Sequence, residues 1–368
     1  MPYKISGTKS ETARIIVLKE SDWSIEYDTV ISGSGTYEVL DLESGNKLIF
    51  ARSEDGWIEG YGGVAGEEYS SGARGIFASG WNQSVNHNSM DYITISSVGN
   101  AITFGSLTID RRAADSTSNG TNNRGITGGG YTSTNTNVID YFTITSTGDA
   151  IAFGDLTVAK RVLSCTSNNA NNRGLFAGGY ATDSTNVIEY ITISSASNAI
   201  DFGDLRMVKY NLGATSNGTN NRGVFAGGID GPIVNTIDYI TISGLGGTAS
   251  DFGELTVARI KANGCSNGTN NRGVFASGYI IGDVCVNIID YITIISTGNA
   301  TNFGELSLIK QGVGATSNGT NNRGVFGGGW ADPTYYNNIE YITITSLGDT
   351  TDFGDLNKVG FNSATSNA

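Results

Sequence analysis

The sequence predicts an all-β protein, a six-bladed β-propeller of four-stranded blades preceded by a small β-sandwich. One observation is a repeated Phe-Gly-x-Leu motif, whose Phe residues are Phe104, Phe153, Phe202, Phe252, Phe303 and Phe353. A second is an Arg-Gly dipeptide that recurs in step with it, at Arg74, Arg124, Arg173, Arg222, Arg272 and Arg323. The third is the spacing of 49 to 51 residues between successive Phe residues, a period typical of propeller blades.

Each repeat contains four strand-like runs, which we call strands a to d. In one unit they cover residues 213–215, 222–228, 237–243 and 250–259. The runs are rich in β-branched and aromatic residues and are bounded by Gly, Asn and Ser, as strands are. Phe and Leu three residues apart would face opposite sides of a regular strand. The Gly between them therefore predicts a β-bulge that returns both to one face.

The near-constant segment SNGTNN is predicted to be the turn from strand a to strand b, since Asn and Gly adopt positive φ angles at low cost. A Gly-Gly pair at the end of strand b allows two backbones to approach closely. The first repeat starts at residues 73–80 without a strand a, and residues 362–368 repeat the missing sequence. We therefore predict that the C-terminal strand completes the first blade and closes the ring.

Residues 1–66 lack the repeat and are predicted to form a separate domain before the propeller of residues 67–368. The predicted strands of this N-terminal domain are 13–20, 24–32, 36–42 and 47–54, with a linker at 63–72.

Composition excludes several classes of function. The net charge of −13 argues against nucleic-acid binding, which needs a surplus of Lys and Arg. Three Cys without CxxC spacing predict neither disulfides nor a metal site, and no calcium-loop motif is present, so we expect no cofactor. The N-terminal sequence has no apolar signal region and no segment approaches ~18 apolar residues, which predicts cytoplasmic synthesis without a signal peptide and no membrane insertion.

Binding residues are expected at one end of the ring. The a–b and c–d turns are nearly constant and define the uniform face, whereas the b–c loops and d–a connections differ between repeats and define the variable face. The variable face carries the aromatic residues Trp81, Tyr131, Tyr180, Tyr279, Trp330, Tyr335 and Tyr336. Its basic residues are Arg111, Arg112, Lys160, Arg161, Arg206, Lys209, Arg259, Lys261, Lys310 and Lys358. All of these except Arg206 and Lys358 are candidate ligand-binding residues.

Two interpretations of these side chains stay open. Aromatic rings beside cations suit sugars that carry carboxylates or sulfates. Alternatively, the cations pair between blades with the acid that opens each strand c, and the aromatic rings anchor loops. Those acids are Asp91, Asp140, Glu189, Asp238, Asp290 and Glu340. The Arg-Gly residues are expected to be structural, each bridging to a carbonyl or an acid of a neighbouring blade, with Asp155, Asp204, Glu254, Glu305 and Asp355 as the candidate acids.

Enzymatic function has little support, and we predict no catalytic residues. His87 is the only His, no G-x-S-x-G motif accompanies it, and its sequence context is that of a polar loop residue. Paired carboxylates for glycoside cleavage are not excluded by the sequence. The acids recur in register with the repeat, however, which is a structural pattern, and a catalytic pair would break the repeat.

The repeat resembles the kelch repeat in its Arg, its Asn-Gly turn, its Gly-Gly after strand b, its Tyr on strand c and its aromatic residue before Leu on strand d. Phe stands where kelch repeats usually carry Trp. It is more similar still to kelch-like propellers of tail-fibre and other virion proteins of marine phages, over about residues 70–368. Residues 1–66 resemble a carboxypeptidase-regulatory-type β-sandwich, a common attachment module.

The resemblance implies a non-enzymatic virion protein, present in many copies and working outside the cell. The N-terminal domain would dock to other virion or assembly proteins, and the propeller would present its variable face to a host-surface glycan, such as a polysaccharide. The alternative is a purely structural decoration or assembly subunit with protein partners only, and a glycan-cleaving enzyme is the third hypothesis.

Overall fold

The chain divides into two compact units, Met1–Gly72 and Ala73–Ala368. The computed structural model describes residues 73–81 and 84–368, and six strands N-terminal to them; of those strands and of Phe361 it describes the backbone alone. The N-terminal strands are Tyr3–Lys9, Ala13–Lys19, Ile25–Ile31, Gly35–Leu42, Lys47–Ser53 and Gly56–Tyr61. The first pairs with the fourth, and the others form an antiparallel sheet in the order third, second, fifth, sixth.

Four of these strands were predicted from the sequence, and the first and last were not. The predicted linker at 63–72 and the side chains of a β-sandwich core lie outside the described residues.

The second unit is a six-bladed β-propeller of four-stranded antiparallel blades, as predicted. Strand a is Phe361–Ser366, Asp115–Ser118, Ser164–Ser167, Gly213–Ser216, Asn263–Ser266 and Gly314–Ser317 in blades 1 to 6. Strand b is Arg74–Trp81, Arg124–Gly128, Arg173–Ala177, Arg222–Ala226, Arg272–Ala276 and Arg323–Gly327.

Strand c is Asn86–Thr94, Val138–Thr143, Val187–Thr192, Thr236–Thr241, Ile288–Thr293 and Asn338–Thr343. Strand d is Ile102–Arg111, Ile151–Asp155, Ile200–Asp204, Ser250–Glu254, Thr301–Glu305 and Thr351–Asp355. In blades 2 to 6 strand d ends earlier than the sequence suggests, because the chain bends after the acid of the Phe-Gly-x-Leu motif.

Short elements complete the unit. Each a–b turn of blades 2 to 6 contains a 3₁₀ turn, at Gly120–Asn122, Asn169–Asn171, Gly218–Asn220, Gly268–Asn270 and Gly319–Asn321. Gly247–Thr248 pairs in parallel with strand d of blade 3. The b–c loops of blades 5 and 6 are small hairpins, formed by Tyr279–Ile280 with Val284–Cys285 and by Trp330–Ala331 with Thr334–Tyr335.

The ring closes as the sequence predicts. The C-terminal strand pairs antiparallel with strand b of blade 1, placing Ser363 opposite Ala78 and Thr365 opposite Ile76. First and last segments of the propeller therefore share one sheet, so the inner edge of blade 1 is covered.

The hydrophobic core lies between adjacent blades. One cluster combines Phe202 and Leu205 of blade 3 with Phe225 and Ile240 of blade 4, and equivalent clusters fill the other interfaces. The predicted bulge is confirmed, since the pairing of strands c and d shifts register at the Gly of Phe-Gly-x-Leu. Phe and Leu are both buried in consequence.

The uniform face explains why SNGTNNRG is repeated. The first Asn of the turn accepts a hydrogen bond from the Arg N–H, as Asn119 Oδ1 does from Arg124 at 2.8 Å. Its Nδ2 donates to the last Asn of the next turn, which has a φ near 68°. These Asn–Asn bonds join Asn119 to Asn172, Asn168 to Asn221, Asn217 to Asn271, Asn267 to Asn322 and Asn367 to Asn123, at 2.8–2.9 Å. The motif therefore forms a series of bonds that links blades 1 to 6 in chain order.

The Arg-Gly residues are structural, and of the two predicted partners the structure shows the carbonyl. The Arg124 guanidinium lies 4.5 Å from the centre of the Tyr141 ring and donates to Ile193 O of the next blade at 3.1 Å. The equivalent carbonyl acceptors of the other five are Ile144, Ile242, Ile294, Ile344 and Ile95. The acid partners were a wrong prediction, because Asp155 pairs with Val138 at the start of strand c whereas Arg124 pairs with Thr143 at its end.

Candidate ligand-binding face

The variable face is assembled by pairing between d–a connections and b–c loops. Isolated antiparallel bridges join Arg112 to Tyr131, Arg161 to Tyr180, Tyr210 to Ile229, Ile260 to Tyr279 and Gln311 to Trp330. The predicted Gly-Gly pair accommodates this proximity in blade 2, where Gly129 has a φ of 67° and a Cβ on it would lie 2.7 Å from Lys160 O. In blade 5 Ser277, also with a φ of 67°, takes the place of the first Gly. The two kinds of variable segment thus share one end of the ring.

Five of the candidate basic residues are buried in ion pairs between blades. They are Arg111 with Asp140, Lys160 with Glu189, Lys209 with Asp238, Arg259 with Asp290 and Lys310 with Glu340, at 2.7–2.9 Å. Their side chains are at most 1% exposed, so they do not reach the surface of the variable face. For these five the structure shows ion pairing, the second of the two interpretations.

Burial lowers the pKa of Arg111, Lys209, Arg259 and Lys310, and the facing carboxylate opposes that shift in each case. Further hydrogen bonds reach some of the buried groups: the two Nη atoms of Arg111 also donate to Val138 O and Thr127 O, whereas Arg111 Nε has no hydrogen-bond partner among the described residues. The blade interface, and not a ligand, accounts for these cations.

At the sixth interface, between blades 6 and 1, the acid of strand c is paired with an Asn and not with a cation. Gly360 stands where the other connections carry Arg or Lys, and Asp91 accepts hydrogen bonds from Asn357 N and Asn357 Nδ2 at 3.1 and 2.9 Å. A Cβ on Gly360, whose φ is 125°, would lie 2.0 Å from Trp81 O. A basic side chain is therefore sterically excluded there.

A second set of cations lies at the surface between aromatic rings. The Arg112 guanidinium lies 4.2 Å from the centre of the Trp81 ring and 5.0 Å from that of Tyr131. Arg161 lies 4.9 Å from the Tyr131 ring centre and 5.1 Å from that of Tyr180. All five side chains are partly exposed. We call this alternating series, Trp81–Arg112–Tyr131–Arg161–Tyr180, the aromatic–arginine arc.

The arc is held by hydrogen bonds between neighbouring b–c loops. Asn86 Nδ2 donates to Tyr131 O and Thr132 O, and Asn135 Nδ2 donates to Tyr180 O and Ala181 O, at 2.6–3.0 Å. Asn135 Oδ1 in turn accepts from Arg161 at 3.1 Å. Because its supports are backbone groups of the loops, the arc is positioned before any ligand arrives.

On the rest of the variable face, aromatic rings and guanidinium groups no longer alternate. Tyr180 packs edge-to-face on Tyr210 at 5.5 Å, and the next blades present Ile229 and the buried Ile260 instead of a ring and a cation. On the other side, Trp330 packs against Tyr335 at 5.9 Å, and Trp81 Nε1 donates to Tyr335 Oη at 3.1 Å. Tyr279 Oη donates to Asp283 within its own hairpin, and Tyr336 N donates to Gly329 O. The side chains of Tyr279, Trp330 and Tyr335 therefore hold loops of this face together.

An axial cavity of about 380 Å³ opens at the variable face. It is lined by the d–a connections, including Arg112, Asp115, Arg161, Asn211, Lys261 and Asn263. Asp115 Oδ2 accepts a hydrogen bond from Cys165 N at 2.7 Å. Burial raises the pKa of Asp115 to about 7, and burial lowers the pKa of Lys261 to about 8. The candidate residue Lys261 thus belongs to the cavity and not to the arc.

The remaining predictions concern single residues. His87 is not in a loop: it lies on strand c of blade 1, which extends further than expected, and it is buried with Nδ1 2.9 Å from Ser89 Oγ. Burial, with the charge of Lys358, lowers its pKa to about 4. Cys165 and Cys265 are buried on strand a.

No cluster of three or more His, Cys, Asp or Glu in the described ranges is arranged to hold a metal ion. None of the helices in the described part of the chain is long and apolar enough to span a membrane.

Sequence reasoning missed Asp115, Tyr210, Asn211 and Asn263. A signal for Asp115 was present: Ser164, Gly213, Asn263, Gly314 and Ser363 stand at its position in the other blades, so it alone is acidic there. No protein-family model matches the chain, and no curated protein gives a significant match to it.

Proposed function

We propose that this chain is a non-enzymatic binding protein whose variable face binds an acidic polysaccharide on a host surface, as a component of a virion such as a tail fibre. The observation that carries the proposal is the aromatic–arginine arc, in which guanidinium groups alternate with partly exposed rings. The resemblance of the repeats to virion propellers supplies the biological setting.

The chemistry of the arc suits an acidic sugar chain. Aromatic rings stack on the apolar faces of sugars, and Arg donates charge-assisted, often bidentate hydrogen bonds to carboxylates and sulfates. Arg112 and Arg161 are attracted to rings on both sides, which fixes their positions and lowers the entropy cost of binding. These cations occur on a chain whose net charge is −13, so their concentration here favours an anionic partner at this face.

The proposed mechanism is avidity. An open, shallow surface gives weak individual binding, and many copies on one particle multiply it without new contacts. The N-terminal unit would attach the propeller to other virion or assembly proteins. No catalytic step is part of the proposal.

The test is binding of the purified chain to polygalacturonate, dextran sulfate and neutral dextran at low and high salt. We expect saturable binding to an acidic polymer that weakens with salt, because exposed charges are screened, and no binding to dextran. The double variant Arg112→Gln, Arg161→Gln should bind at least about tenfold more weakly, a change of about 1.4 kcal/mol in binding free energy.

The matched control is Arg206→Gln with Lys358→Gln, which removes two positive charges after strand d but outside the arc. Arg206 pairs with Asp238 and Asp251, so thermal unfolding is used to check that the control is folded. It should bind like the wild type. Absence of binding to every acidic polymer, even when the chain is displayed in many copies on a bead, would contradict the proposal.

A second candidate is a purely structural subunit with protein partners. The observation in its favour is on the outer strands: Ile102, Ile151 and Ile200 of blades 1 to 3 are 56–59% exposed, where blades 4 to 6 carry Ser250, Thr301 and Thr351. Exposed apolar groups on one side of the rim suit a protein contact. Loss of particle assembly on changing these three Ile to Thr, with polymer binding unaffected, would support it.

A further inference from the structure

The axial cavity is of a different kind from the surface around it. Its volume of about 380 Å³ lies within the range of small-molecule sites, and it is concave where the arc is open. It is lined by residues from the d–a connections that surround the axis, so several blades contribute to it. A group that enters it would contact protein on several sides.

The lining departs from the repeat at the positions that face the cavity. The equivalent residues Ala113, Val162, Asn211, Lys261 and Gly312 all have left-handed backbones, with φ between 53° and 67°. Gly or Asn is favoured in such a conformation, and a β-branched residue such as Val162 is disfavoured. Backbone preference therefore explains Gly312 and Asn211 but not Val162 or Lys261. The fold therefore does not require Val162 or Lys261 at these two positions.

The charged residues of the lining are predominantly basic. They are Arg112, Arg161 and Lys261, against one acid, Asp115. Since burial raises the pKa of Asp115 to about 7, this carboxyl is part protonated near neutral pH and offers both a donor and an acceptor. Asn211 and Asn263 add amides to the wall. Cations with neutral hydrogen-bonding groups match a ligand that carries one carboxylate and several hydroxyls.

The cavity is continuous with the arc. Arg112, Tyr131 and Arg161 belong to both, because they line the cavity and also form the central part of the arc. A sugar chain whose terminal residue occupies the cavity would therefore leave it across the central part of the arc.

We propose that the axial cavity binds the terminal uronic acid of the polysaccharide, so that the chain is recognised at its end as well as along its length. The carboxylate would be held by Lys261 and the arginines, and the hydroxyls by Asp115 and the two Asn side chains. This inference rests on the proposed function for the nature of the polymer, and adds a subsite and a terminal specificity to it.

The test is titration with a single sugar. Galacturonate, its methyl ester and galactose are titrated into the full chain by calorimetry or NMR. We expect saturable binding of galacturonate, and binding at least about tenfold weaker for the ester and for galactose, which lack the negative charge. Galacturonate should also compete with polygalacturonate.

The informative variant is Lys261→Asn. Asn211 occupies the equivalent position with a φ of 56°, so the fold tolerates Asn there. Lys261→Asn should weaken galacturonate binding at least about tenfold. Lys358→Asn, which removes an exposed charge outside the cavity, should not.

The outcomes separate the two proposals. Polymer binding without galacturonate binding, or with unchanged binding by Lys261→Asn, would overturn the terminal subsite and leave the polysaccharide proposal standing. Absence of both kinds of binding would overturn both. Galacturonate binding that Lys261→Asn abolishes would support both.

Discussion

The uniform face and the variable face are the two ends of the same repeats, yet their side chains are used differently. At the uniform face the same Asn–Asn bond and the same Arg–carbonyl bond recur from blade to blade. At the variable face the arc occupies blades 1 to 3, whereas blades 4 to 6 carry Ile229, Ile260 and two small hairpins.

The difference separates stability from recognition. The bonds at the uniform face and the buried ion pairs join the blades in nearly the same way around the ring, and a ligand on the variable surface would not touch them. The bonds between blades at the variable face differ from loop to loop, as those of Asn86 and Asn135 do, so residues there can vary without loss of the repeated bonds. Changes at the two ends should therefore have opposite consequences for stability and for binding.

Deletion of residues 362–368 should have the largest effect and abolish the folded propeller. The C-terminal strand supplies strand a of blade 1 and pairs along strand b from Ser363 to Ser366. Its loss would expose a strand edge and open the ring, which favours aggregation. Thermal unfolding and size-exclusion chromatography would measure this, and a truncated chain that melts like the full one would refute closure by this strand.

Asp238→Ala should lower the free energy of unfolding by about 3–5 kcal/mol, because it leaves the buried Lys209 ammonium unpaired. Asp251→Ala is the control: Asp251 is 65% exposed and pairs with Arg206, so its loss should cost less than about 1 kcal/mol. Urea unfolding measures both. Asp238 also accepts a hydrogen bond from Arg206 Nε at 2.7 Å. Replacing Asp238 with Leu and Lys209 with Met together should therefore recover the part of the loss that comes from the unpaired ammonium, and no recovery at all would contradict that cause.

Asn217→Ala should lower the free energy of unfolding by about 1–2 kcal/mol, because the Arg222 N–H and Asn271 Oδ1 each lose a partner. Its binding to polymer should be unchanged.

The double variant Arg112→Gln, Arg161→Gln should do the reverse of Asn217→Ala: it should change the free energy of unfolding by less than about 1 kcal/mol while weakening binding to polymer. If both variants lose stability and binding together, the two faces are not independent.

Much of the fold could be predicted because the same sequence pattern recurs in each blade. The Phe-Gly-x-Leu bulge, the turn at SNGTNN and the closing strand could all be predicted by aligning the repeats, and the structure contains all three. The first and last N-terminal strands were not, since nothing repeats them. The inter-blade acid partners of Arg124 and its equivalents were predicted wrongly, because strand d ends at that acid and not several residues later. The acid therefore lies opposite the start of strand c, at the end of the blade away from Arg124.

The position of the variable face could be predicted from the sequence, but the contacts that its side chains make could not. Arg111 and Arg112 are adjacent and identical, yet one is buried against Asp140 and the other lies between Trp81 and Tyr131. Which of two neighbouring residues turns inward depends on the bend after strand d, which composition does not reveal. Asp115 was overlooked for a related reason, since its importance comes from the axial cavity that the ring creates.

The smallest expected effect belongs to Asp115 and depends on pH. Its pKa of about 7 in the folded chain lies above that of an ordinary Asp, so the folded state binds more protons between about pH 4 and pH 7. Stability is therefore lost as the pH rises from about 4 to about 7.

Asp115→Asn, which retains an acceptor for Cys165 N, should remove this penalty and stabilise the chain at pH 8.5 relative to the wild type, with a smaller difference at pH 5. The gain should be on the order of 1 kcal/mol, because Asp115 keeps contact with solvent in the cavity. Urea unfolding at the two pH values measures it, and an equal effect at both would mean that the carboxyl is already ionised at pH 5, which would remove the neutral donor proposed for the sugar hydroxyls.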